Sequence, residues 1–129
     1  MYEFNLTLNL PFDQAVEKVR ETLMGEQLGV VSEIDVQAIF KAKMDKDIAP
    51  YRIMGACNPK LAERVLEAEP NAGTLLPCNF VMRAEGDATV VSFMDPASVL
   101  ALSENETVRE IGSEARAKLQ RVADTLAGV

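Results

Sequence analysis

Residues 2–10 alternate without a break: Tyr2, Phe4, Leu6, Leu8 and Leu10 are apolar, and Glu3, Asn5, Thr7 and Asn9 between them are polar. A period of two puts every apolar side chain on one face of an extended strand, so the segment predicts a β-strand covered on one side and wetted on the other. Such a strand does not suit a parallel sheet buried on both faces. It points to an α+β fold: a small antiparallel or mixed sheet of about four to five strands with helices packed mainly on one face.

The rest of the chain supplies the other elements. Pro11 can open a helix in which Ala15, Val16, Val19 and Leu23 recur at helical spacing, closed near Gly25 and Gly29. A second strand is expected over about Leu28 to Val36, with Val30, Ile34 and Val36 on one face. Asp35 then caps a short helix whose buried stripe is Val36, Ile39, Phe40 and Met44, stopped by Asp45, Lys46 and Asp47. Residues 51–57 return to strand. Asn58 and Pro59 read as the cap and first residue of a helix that buries Ala62, Val65 and Leu66 and breaks at Pro70, Asn71 and Gly73. Gly86 and Asp87 mark a tight turn between strands of about Leu75 to Glu85 and Ala88 to Asp95. A last helix carries Val108, Ile111, Ala115, Leu119, Val122 and Leu126 on one face, with Ser103 and Glu106 at capping-box spacing and Lys118 and Arg121 suited to its negative end.

At 129 residues with 48% hydrophobic content, the chain has enough apolar surface for one α+β domain over residues 1–129 without a disulfide or a metal. Its formal charge of -7 repels phosphate backbones and anionic lipid, so neither nucleic acid nor a membrane is an expected partner. No leader pattern and no bilayer-length apolar run occurs, which together with two cysteines suggests a cytoplasmic protein with free thiols.

Chemistry-bearing residues are few. The chain has no histidine, which removes the commonest general base and the usual Cys-His and zinc arrangements. No glycine-rich phosphate loop is present. What remains is a pair of cysteines, each followed by asparagine: Gly55-Ala56-Cys57-Asn58-Pro59 and Leu76-Pro77-Cys78-Asn79. Cys57 at a helix N-terminus is the thiol expected to be acidic and reactive, whereas Cys78 shares the apolar face of its strand with Leu76, Phe80 and Met82 and is expected to be the more buried. Arg52 and Arg83 flank these strands and could hold an anion, although pairing with a neighbouring acid is the commoner role. Asp95, before Pro96, reads as a turn cap.

The run "GACNPKLAERVLEAEPNAGTLLPCNFVMR", with "IDVQA" upstream and "FMDP" downstream, resembles the bacterial and archaeal family known as domain of unknown function 302. The resemblance implies a compact α+β fold that tends to form homodimers, and implies no chemistry. Three readings follow. One is a homodimeric small-ligand-binding module with a pocket near Cys57, Asn58, Cys78 and Asn79. The second is a thiol-based redox or sulfur-transfer protein. The third is a copper(I)-binding protein using Cys57 and Cys78, helped by Met54, Met82 or Met94. The residues assign neither a catalytic group nor a cofactor.

Overall fold

The computed structural model describes residues 1–129. Five strands form one antiparallel sheet: β1 (Glu3–Leu8), β2 (Gly29–Asp35), β3 (Tyr51–Cys57), β4 (Cys78–Glu85) and β5 (Ala88–Met94), in the order β1-β5-β4-β3-β2. Five α-helices accompany them: α1 (Phe12–Met24), α2 (Val36–Met44), α3 (Pro59–Ala68), α4 (Pro96–Leu100) and α5 (Glu106–Ala127). A 3-10 helix (Pro70–Leu75) follows α3.

The alternation of β1 sets the two faces. Phe4, Leu6 and Leu8 lie opposite Phe93, Val91 and Thr89 of β5, and Phe93 and Val91 lie opposite Phe80 and Met82 of β4. This face meets α1 and α5, whose Ala15, Val16, Val19, Leu23, Leu119, Val122 and Leu126 complete one core cluster. Arg116 of α5 ties the layers at the sheet edge, pairing with Asp95 at 2.8 Å while lying 3.9 Å above the Phe4 ring. A second, separate cluster of Val65, Ala72, Leu100, Val108 and Ile111 joins α3, the 3-10 helix, α4 and the first half of α5. The sheet's other face carries no comparable layer.

Several local expectations are met. Asp35 accepts from the Ala38 amide, Asn58 from that of Leu61 with Pro59 at the first helical position, and Asp95 from that of Ala97. Gly86, at φ 61°, makes the turn between β4 and β5.

Five expectations need correction. A register shift between Val30 and Ser32 separates the two ends of β2: Val30 lies opposite Ala56 on the helix-covered face, whereas Ile34 lies opposite Ile53 on the open face. One extra residue in a strand reverses the facing of everything beyond it, so Val30 and Ile34 do not share a face. The stripe expected on α2 is not buried. No residue of that helix is, and Ile39 and Met44 are exposed, because α2, which joins β2 to β3, packs mainly against β3 and against no helix to a comparable extent. Leu66 of α3 is likewise exposed. At α5 the cap is Asn105, whose side chain accepts from the Thr107 and Val108 amides, while Ser103 Oγ hydrogen-bonds Glu69 instead. Lys118 and Arg121 do not reach the last turn of α5; they bind Glu26 and Gln27 after α1.

Candidate functional site

The two cysteine motifs come together where β3 and β4 end. Ala56 lies directly opposite Cys78, and Gly55 opposite Asn79, so Cys57 and Cys78 sit on adjoining strands although 21 residues separate them in sequence. Gly55 is fixed by close approach. A Cβ there would collide with Pro77 Cγ and Ser32 Oγ, so the proline of one motif lies over the glycine of the other. The Leu76-Pro77 peptide is cis.

Beside this junction is a cavity of about 30 Å³ lined by Leu28, Ala56, Cys57, Asn58, Leu61, Ala62, Val65, Leu76, Pro77, Cys78, Leu100, Ile111 and Ala115. Eleven of these thirteen are apolar. The lining draws on both core clusters, Leu28, Ala56 and Cys78 from one and Val65, Leu100 and Ile111 from the other, so the cavity marks the seam between them. At about one water's volume with scarcely any polar wall, such a space offers a water few hydrogen-bond partners.

Of the four residues the sequence singles out, Cys57, Asn58 and Cys78 line this cavity. Asn79 does not. Alternation along β4 turns it to the open face, where it lines a different depression. Asn58 has a complete local role: Oδ1 accepts from the Leu61 amide at 3.1 Å and Nδ2 donates to the Gln27 carbonyl at 3.2 Å, tying α3 to the turn after α1.

Both thiols are free. The expectation that the α3 N-terminus makes Cys57 acidic is not met, because burial pushes its thiol up. No amide of the helix donates to its sulfur; the available donor in the first turn, Leu61, goes to the Asn58 cap. Cys78 is shifted further, pushed up to about 11 by burial and then by the nearby Cys57 charge. Both therefore stay protonated near neutral pH, and Cys78 is the more enclosed, as its apolar strand face suggested.

The remaining candidates resolve as structural. Arg52 pairs with Glu33 at 2.9 Å, and Arg83 with Glu85 at 2.7 Å. Asp95 caps α4 and holds Arg116. Met54 and Met82 are wholly buried in the sheet core, and Met94 lies with Asn79 on the open face. No three histidine, cysteine, aspartate or glutamate side chains gather in a metal-binding arrangement. Sequence reasoning did not foresee that Leu61, Leu76, Leu100, Ile111 and Ala115 would wall the cavity. Their spacing marked apolar helix faces but not that α3 and α5 meet above the ends of β3 and β4.

A family model described as "Domain of unknown function DUF302" matches residues 4–126. Among solved structures the chain is similar to the uncharacterized conserved protein DUF302 from Bacillus stearothermophilus, with a TM-score of 0.87 and 24% identity over 96% of this chain and 97% of that one. That likeness bears on the fold. No curated protein matches the chain. No helix is long and apolar enough to cross a membrane.

Proposed function

The chain belongs to the DUF302 family, and from that premise we propose that it is a small-ligand-binding module, working as a cytosolic homodimer, that takes the apolar end of a short amphiphile into the cavity under α3. The observation that carries this reading is the apolar cavity walled by residues of three helices, α3, α4 and α5, and by the β3 and β4 ends that carry Cys57 and Cys78. At about 30 Å³ it accepts a group the size of a methyl as it stands. A longer apolar end requires α3 to move from the sheet. The seam favours that movement, since the two core clusters it separates share no buried residue.

Asn58 lines both this cavity and an adjoining polar groove formed with Gln27, Pro59 and Lys60. Lys60 forms no ion pair and is exposed, so an anionic head is the complement. A short-chain carboxylate fits both halves. Thermal unfolding with butyrate and hexanoate tests this: the longer chain should raise Tm more, and Ala115→Leu, which fills the cavity, should abolish the rise within that variant. No response in the wild-type protein, or an equal response in Ala115→Leu, would end the proposal.

Thiol-based redox or sulfur transfer is a weaker reading, because both thiols are pushed away from the thiolate that such chemistry needs. Copper(I) binding has two sulfurs in its favour, but Met54 and Met82 are held in the core and Met94 is on the other face.

The dimer is proposed at the β2 edge. Val31, Ile34, Ile39 and Met44 are exposed there, beside a strand with one unpaired side, whereas the opposite edge, β1, turns Glu3, Asn5 and Thr7 outward. Pairing β2 with its two-fold copy would cover the more apolar edge and its free backbone groups together.

A further inference from the structure

The open face of the sheet has a valley that none of the residues discussed so far explains. Val81 of β4 and Ser92 of β5 lie directly opposite each other and form its floor, both half-buried and both small. Two rungs further along, Tyr51 and Arg83 are opposite each other and wall one end. In the other direction Met94 and its β1 partner Glu3, with Asn79 and Tyr2, wall the other end. Rungs of one face repeat every two residues, so the walls stand about 13 Å apart along the strands, backbone to backbone. The space between measures about 300 Å³, at the lower bound of ordinary ligand sites and enough for one six-membered ring with its substituents.

The lining decides the class of ligand. Tyr2 and Tyr51 bring aromatic rings, Val81 an apolar floor and Met94 an apolar wall, while the phenol hydroxyls, the Asn79 amide and the Ser92 hydroxyl supply polar groups able to donate and accept. Arg83 uses Nη1 on Glu85, leaving its other N–H groups to donate; the Glu3 carboxylate takes a hydrogen bond from Asn5 and can accept more. Donors and acceptors thus alternate around the rim, and the single positive and single negative side chain cancel. A carboxylate ligand would meet Glu3, and a cation would meet Arg83. A hydroxyl, which both donates and accepts, suits every position.

We propose that this valley is a second binding site, for a neutral cyclic polyol of monosaccharide size, with an apolar ring face on Val81 and Met94 and its hydroxyls on Asn79, Ser92, Arg83 and Glu3. The site is independent of the cavity under α3, being on the opposite side of the sheet.

Amide chemical-shift titration of the isotope-labelled protein tests it. Methyl β-glucopyranoside should produce saturable shifts confined to residues 2–3, 51, 79–83 and 92–94, with a Kd in the millimolar range typical of a small, open site. Sorbitol, with the same functional groups but no ring, should bind at least about tenfold more weakly. Ser92→Leu fills the floor and should abolish the shifts; should that variant not give a folded spectrum, Tyr51→Ala should weaken them, and Glu63→Gln, on the exposed side of α3, should leave them unchanged. Absence of saturable shifts, saturation by benzoate but not the pyranoside, or unchanged binding in the filled variant would overturn the assignment. Because butyrate and hexanoate report on the other face, failure here leaves the short-carboxylate proposal standing, and the reverse.

Discussion

Pro77 occupies the space in which a side chain on Gly55 would stand, and this contact joins the two cysteine motifs. The glycine is demanded by a neighbour and not by its own backbone angles. Gly55→Ala should therefore be destabilising by about 1–3 kcal/mol, the usual range for overpacking a filled site. Pro77→Ala made on that background should recover part of the loss, so that urea unfolding of the double variant gives less than the sum of the two singles. Strict additivity would mean that the contact is not what constrains Gly55.

Thiol titration should be visible in stability. Cys78 is raised from 9.0 to about 11 in the folded protein. Its folded form thus holds a proton that the unfolded chain releases earlier. Below the unfolded thiol value the folded protein has its full stability; between there and about 11 stability falls as pH rises, because folding must keep the thiol protonated. The loss attributable to this group is on the order of 3 kcal/mol. Cys78→Ala should flatten the alkaline limb of a denaturation-against-pH curve, and a limb unchanged by the substitution would exclude Cys78 as its source.

Alkylation with iodoacetamide should follow the same order. Cys57 should react first, slowly at neutral pH and faster as the solution becomes alkaline, and Cys78 should follow only on unfolding or at high pH. Peptide mass mapping gives the order directly. Prior modification of Cys78 would contradict the burial that separates the two thiols.

Ile111 is 1% exposed and forms part of the cavity wall. Ile111→Ala should cost about 2–5 kcal/mol and enlarge the cavity. Because the surroundings are apolar, the variant should gain affinity for benzene or xenon, read as a rise in its Tm in their presence. A destabilised variant with no such gain would mean that the core collapses into the space.

At the β2 edge, Ile39 and Met44 are 40% and 57% exposed. Replacing both by glutamate should leave Tm of the isolated chain within a few tenths of a kcal/mol equivalent, since neither supports the core. If the proposed β2-edge dimer forms, light scattering should give 14.1 kDa for this variant and twice that mass for the wild-type protein. Equal masses for the two proteins would remove this edge from consideration.

What could be read in advance follows from how local each cause is. The period-two pattern of β1 and the caps at Asp35, Asn58 and Asp95 depend on neighbours within a few residues, and they are where the sequence puts them. Failures arise where a distant partner decides. Ser103 has capping-box spacing, but Glu69, 34 residues earlier, captures its hydroxyl and Asn105 becomes the cap. The stripe on α2 is regular, yet no layer lies above it. The paired cysteine-asparagine motifs announced a shared location for three of four residues; Asn79 departs because the pleat of β4 sends alternate side chains through to the other face.

The strand order also has a consequence for biosynthesis. β1 is the first strand to leave the ribosome, yet its only sheet partner is β5, with Glu3 opposite Met94 and Leu8 opposite Thr89. Until β5 itself has been made, Phe4, Leu6 and Leu8 have no strand beside them. The hairpin of β4 and β5 can close locally, and β3 can join it across α3, so the sheet can grow from its middle while the N-terminal strand waits. Late docking of β1 makes its apolar face the segment most in need of shelter on the nascent chain.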